Sequence, residues 1–191
     1  MKRFSHLPLV LVVVFLFTSC AALQDIQKAM TNLSRCKFKL ESVDRFALSG
    51  ISLSGKKSVS DFSLTDGAKL VSAFARNEFP ASFTLNVAAI NPNDGTGGTP
   101  QTAATLTSFA WTLIIDNTLT INGDITDPIT IPGTGQKAII PLQMNLDLAR
   151  FFKDRGYDAV VNLALAIGGA NSSPSRITLR ATPRLKTQFG D

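Results

Sequence analysis

Histidine is almost missing from this chain of 191 residues: there is one, His6. It stands in a leading segment that reads as removed, so histidine triads, acid–base dyads and imidazole metal sites are excluded for the remainder. Cysteine is scarce too, with only Cys20 and Cys36. Once Cys20 is assigned to another role, Cys36 stands alone and no internal disulfide can form. Long apolar runs are lacking as well. The longest uninterrupted stretch at the start, Leu9 to Phe17 (LVLVVVFLF), has nine residues, whereas a helix that stays in a bilayer needs roughly 20. Nor is there a strong charge of one sign. The formal net charge is +5, and it falls to +3 when Lys2 and Arg3 leave with residues 1–19, which contain no acid. That balance excludes the clustered basicity of a nucleic-acid binder.

The start of the chain has the three regions of an export signal: the positive Lys2-Arg3, the apolar run, and the small polar pair Thr18-Ser19 before a cysteine. The stretch Leu16 to Cys20 resembles the bacterial lipobox, although Phe17 stands where a leucine is usual. That resemblance implies cleavage before Cys20 and acylation of its thiol, with palmitate-type chains. One chain holds only marginally, since each buried methylene contributes about 0.8 kcal/mol, whereas two or three make attachment effectively permanent. Ala21, where an aspartate would resemble an inner-membrane retention signal, implies the outer membrane. Residues 1–19 therefore read as a signal peptide, 20–35 as a tether and 36–191 as one domain. Subtracting 19 from 191 leaves 172 residues, enough for a single large core.

From Cys36 onward apolar residues alternate with period two between turn signals, the pattern of strands with one buried face. The inward sets are Phe38 and Leu40; Leu48, Ile51 and Leu53; Phe83, Leu85 and Val87; Phe109, Trp111, Leu113 and Ile115; Leu119 and Ile121; Ile129 and Ile131; Ile140, Leu142 and Met144; Val161, Leu163, Leu165 and Ile167; Ile177 and Leu179. This amounts to eight or nine strands. Asp116-Asn117 predicts a tight antiparallel hairpin between 108–115 and 118–125. Two helices interrupt the strands. One carries Leu70, Val71, Phe74 and Ala75 on a face, capped by Thr65 or Asp66. The other has Asp147 at its start, Leu148, Phe151 and Phe152 inward, Lys153 and Arg155 late, and Gly156 as its stop. Cys36 shares parity with Phe38 and Leu40 and reads as a buried structural thiol.

In FTLNVAAINPN, Pro92 cannot donate to a ladder and Asn93-Asp94-Gly95 turns the chain, so the strand must end there. That strand closing in Asn91-Pro92-Asn93, the segment with Ile131-Pro132-Gly133, and the passage from Asn145 through a short helix and Gly156 to Ile167 together resemble the late embryogenesis abundant type 2 family, or WHy domain. The resemblance runs from about Val43 to Leu185. It implies an antiparallel immunoglobulin-like sandwich or barrel with one or two short helices, a stress-associated role and no enzymatic activity. The loop from Asp94 to Thr105 is longer than such domains usually have, and the helix around Leu70 looks inserted.

Several motifs are weak. Gly50 to Lys57 (GISLSGKK) nearly spells a phosphate loop, but Lys57 replaces the hydroxyl that magnesium needs and Ile51 and Leu53 alternate as in a strand. Ser34 and Ser54 each precede a lysine by three, without the partner motifs of acylating enzymes. Asn91 to Gly98 has oxygen ligands but no closing bidentate glutamate for calcium. Asp124 and Asp127 read as solvated turn carboxylates. Arg176, Arg180, Arg184 and Lys186 share the outward parity of the last strand; they form a solvated face or a surface for anionic headgroups. We expect no cofactor, no metal and no catalytic residue. The expected activity is that of an anchored binding or protective module, with carriage of lipid or another apolar ligand as the alternative.

Overall fold

The computed structural model describes residues 35–96, 101, 103–170 and 176–185. Cys20, the signal segment, all of the tether except Arg35, and Lys186 lie outside the described residues. The described chain runs β1 (Lys37–Leu48), β2 (Ile51–Ser52), α1 (Leu64–Ala75), β3 (Pro80–Ile90), β4 (Ala104–Ile115), β5 (Thr118–Gly123), β6 (Ile129–Ile131), β7 (Lys137–Asp147), α2 (Leu148–Phe152), α3 (Tyr157–Gly168) and β8 (Ile177–Leu185).

It is mainly β, and every pairing is antiparallel. One sheet has the order β2-β1-β3-β7. In the other, β4 is central. Leu106 pairs with both β6 and β8, and Ile114 and Ile115 pair with both β5 and β8, so β5 and β6 follow one edge of β4 and β8 the other. Alternation fixes the inner faces: Ala81, Phe83, Leu85, Val87 and Ala89 of β3 are buried, as are Phe109, Trp111, Leu113 and Ile115 of β4. The two faces, with Ile140, Leu142, Met144 and the helices, form one continuous cluster. Burying each large side chain of this kind stabilises by roughly 1.5–3 kcal/mol.

The sheet edges are protected. Pro141 sits on β7 and Pro183 on β8, both outermost strands, and β1 has irregularities at Leu40/Ser42 and Asp44/Ala47. Proline lacks a donor and a bulge twists the ladder away, so further strands are discouraged from adding. The Asp116-Asn117 turn has φ of 49° and 65°, positive at both central residues as a two-residue hairpin requires.

The segment expected as a strand at Val161–Ile167 is instead helix α3. Its period-two set is buried, but so are Val160 and Ala164, one helical turn apart, which a strand would turn outward together. A nearly continuous apolar run fits either period, and here tertiary packing decides. The helix docks against β1 at Gly168, where an added β-carbon would overlap the Phe46 ring. The Ala170 amide then donates to the Lys56 carbonyl at 2.8 Å. The described residues therefore contain three α-helices, against the one or two expected.

Smaller expectations also shift. The cap of α1 is Ser63, whose hydroxyl accepts from the Asp66 amide at 3.1 Å, not Thr65 or Asp66. Its inward face is the i, i+3, i+4 set Leu70, Ala73 and Phe74, with Val71 and Ala75 exposed. Leu119, expected inward, is 60% exposed on β5, which among the described residues pairs only with β4 at the edge of its sheet. Asp147 does open α2: its Oδ1 accepts from the amides of Ala149 and Phe79, both at 2.9 Å. Gly156, at φ 83°, ends the turn after α2 and immediately begins α3.

Candidate functional site

The two segments that carry the family resemblance meet at one end of the sandwich. Asn91 and Asn93 are fully buried polar side chains, flanking Pro92 where β3 stops. Asn91 Oδ1 accepts from the Asn93 backbone amide at 3.1 Å and from Asn93 Nδ2 at 2.8 Å. Asn91 Nδ2 donates to the carbonyl of Ile131 at 3.4 Å, and Arg35 Nη1 donates to Asn93 Oδ1 at 3.3 Å. Buried amides must be bonded, and here Asn93 donates to Asn91 while Asn91 ties the β3 end to β6. This knot consumes its hydrogen-bonding capacity internally, so it is a clasp rather than a ligand site. Gly156 lies far along the chain at the other, helical end.

The arginine row is exposed, but its members differ. Arg176, Arg180 and Arg184 share the outer face of β8 with Thr178 and Thr182. Arg176 Nη1 binds Asp116 Oδ1 at 3.1 Å, and Arg155 binds the other oxygen of the same carboxylate. The Asp116 backbone amide also donates to the Arg176 carbonyl at 2.9 Å. Arg155, followed by Arg176, holds the Asp116 carboxyl below its ordinary range. Nothing in the sequence signalled this long-range triad, because Asp116 reads only as a turn residue. Arg180 stands opposite Thr112 and forms no ion pair among the described residues.

The remaining candidate groups are committed to structure. Asp124 accepts from Ser108 Oγ at 2.7 Å and from the amides of Phe109 and Ile125, so it staples the β5 exit to β4 and its pKa is lowered chiefly by Ser108. It is more engaged than a solvated turn carboxylate. Asp127 accepts from Thr126. Asp61 accepts from the amides of Lys57 and Ser58, and Asp94 from Thr96, each lowered by those bonds. Glu41, bound to Lys137, is lowered likewise. Glu41, Asp61, Asp94, Asp116 and Asp124 are all shifted downward, away from the range of a general acid at neutral pH. Cys36 is half-buried rather than buried, and desolvation raises its thiol pKa, which suppresses the nucleophilic thiolate. Gly50–Lys57 forms a turn, the short β2 and a second turn, with Lys56 Nζ over the Phe62 ring and the amides of Leu53, Lys56 and Lys57 donating to Phe46, Leu53 and Asp61 in turn. Among the described residues no group of three potential metal ligands gathers.

Two clefts open at the sandwich edges. Between β1 and β8 a groove of about 340 Å³ is lined by Phe38, Leu40, Val87, Phe109, Ile177 and Leu179. At the opposite edge a cleft of about 410 Å³ lies between β7 and the turn after β5, with Trp111 in its wall. Sequence reasoning placed Trp111 in the core and missed the opening beside it. Among the described residues no helix is long and apolar enough to cross a membrane. Comparisons of the chain with protein-family models, with curated proteins and with solved structures return no match.

Proposed function

We propose that this protein is a lipid-anchored, non-catalytic module of the bacterial envelope, held at the outer membrane through acylated Cys20 and acting by binding or surface protection. The observation that carries the reading is the nine-residue apolar run ending in Thr18-Ser19-Cys20, too short to span and placed for export and acylation. Two further observations support it. Asp61, Asp94, Asp116, Asp124 and Asp147 are occupied by structural bonds, and the Asn91 clasp joins two segments on which the resemblance to late embryogenesis abundant type 2 domains rests. Growth with a clickable fatty acid tests the anchor. The wild-type chain should take up label and sediment with membranes, and Cys20→Ser should lose both. A Cys20→Ser chain that stays labelled and membrane-bound refutes the reading.

The exposed Arg180 and Arg184 fit contact with anionic headgroups near the anchor, each worth about 1 kcal/mol close to such a surface. Binding of the chain to anionic but not neutral vesicles, weakened by salt, is the expected result; salt-insensitive binding contradicts the contact. A second reading, carriage of lipid, is favoured by the apolar groove between β1 and β8. Native mass spectrometry of the purified chain should then reveal retained lipid beyond the covalent acyl groups.

A further inference from the structure

The groove between β1 and β8 is a seam that the fold leaves unpaired. Among the described residues β1 pairs with β2 and β3, and β8 only with β4, so no ladder joins the two sheets along this side. The first irregularity of β1, between Leu40 and Ser42, falls where that strand leaves the groove wall, and a bulge of this kind bends a strand off its course. Alternation then decides what lines the opening. Ile177, Leu179, Ala181 and Pro183 share one parity of β8 and all line it, with Val87 and Phe109, each 2% exposed, as its floor. From Ile177 to Pro183 the strand runs roughly 20 Å. A volume of about 340 Å³ over that length gives a mean section of roughly 17 Å², the width of one hydrocarbon chain and too little for two.

A peptide strand is a poor filler for this seam. Pro183 offers no amide on β8, and the irregularities of β1 turn its ladder away. A polymethylene chain asks for no ladder and gains simply by leaving water. The rim adds a sign. Lys39 is exposed between Phe38 and Leu40, and among the residues lining the groove it is the one with a charge. It forms no ion pair among the described residues. Lys37 is exposed two positions earlier, and the acid two positions later, Glu41, is engaged by Lys137. An apolar channel one chain wide, with an unpaired ammonium group at its mouth, complements a molecule with one apolar chain and one negative end.

We propose that the groove binds one unesterified long-chain fatty acid, its hydrocarbon chain lying along β8 and its carboxylate at Lys39. This rests on the lipid-carriage reading of the same groove and narrows it to a single-chain carboxylate.

The full-length chain, in a neutral detergent and above neutral pH so that carboxylates are ionised, is irradiated with palmitic acid carrying a mid-chain diazirine. The methyl ester of the same probe, with the same chain and no charge, is used in parallel. Peptide mass spectrometry maps the insertion. Saturable labelling is expected in the peptides holding 38–40 and 177–183, half-complete at roughly fivefold lower concentration for the acid than for the ester, the effect of one exposed charge pair. Lys39→Gln, at an exposed position, should keep the wild-type urea midpoint and remove that difference by raising the concentration needed for the acid alone. Ala181→Phe, which fills the groove, should abolish labelling by both probes. Equal half-saturation of acid and ester in the wild-type chain, or a preference that survives Lys39→Gln, would overturn the fatty-acid inference while leaving lipid carriage standing. Labelling that does not saturate, that falls on other peptides, or that persists in Ala181→Phe would overturn both.

Discussion

The two ends of the sandwich are held by different chemistry. At the helical end, order comes from apolar packing: Leu70 and Phe79 are fully buried, Phe74 meets the Phe79 ring edge-on at 5.4 Å, and α3 presses on Phe46 through Gly168. At the other end, where β3 stops, two fully buried asparagines bond each other and the Ile131 carbonyl. Packing is non-directional and tolerates conservative exchange, whereas a buried polar clasp is intolerant of losing either partner. The same difference governs what each end can do. The polar end bonds its donors and acceptors to one another, while the inner face of β4 keeps one buried donor, Trp111 Nε1, without a partner.

The largest effects are expected at the helical end. Phe79→Ala removes a fully buried ring and should lower stability by about 3–5 kcal/mol. Gly168→Leu, which drives a side chain into Phe46, should be similarly severe or prevent folding. Urea unfolding followed by far-ultraviolet dichroism measures both, and a midpoint close to wild type for either would mean that α3 is not packed as described.

The clasp should rank next. Asn91→Ala orphans the Asn93 amide and side-chain nitrogen, a loss of about 2–3 kcal/mol. A loss below that of a surface substitution would place the contribution of this end in its packing. Asp147→Ala, which removes the acceptor for both Ala149 and Phe79, should be smaller, near 1 kcal/mol.

The smallest effect concerns pH. Asp116 and Asp124 have pKa values below the ordinary 3.8 in the folded chain. Such groups contribute stability that is fully present above the unfolded value and is lost as pH falls through the folded one. The urea midpoint should therefore hold from neutral pH to about pH 5 and decline below about pH 4. Asp116→Asn should flatten part of that decline, and because the carboxylate is only partly buried and screened by solvent the change should be slight. A decline that begins near neutral pH would point to other groups.

Much of this architecture was legible in the sequence, but unevenly. The inward residues of β3, β4 and β7 follow from strict alternation, and the hairpin follows from Asp116-Asn117. Helix α3 did not, because a run in which Val160 to Ile167 is buried on nearly all sides carries no usable period. The Asn91 motif could be located but not explained, since its partner, the Ile131 carbonyl, is 40 residues away. The Trp111 cleft was illegible for a different reason. It depends on which side chains meet across strands, and Gly123, whose added β-carbon would lie 2.5 Å from the Trp111 indole Cζ2, reads in sequence as an ordinary strand end.

The central structural claim is that both ends belong to one cooperative body despite their different chemistry. Native-state hydrogen exchange tests it most directly. The amides of Leu163–Ile167 in α3 and of Leu85–Ala88 in β3 should open with the same free energy and the same dependence on urea, as parts of one unfolding unit. If α3 exchanges far faster, with a shallow urea dependence of its own, the helical end is a separately stable appendage and the account fails.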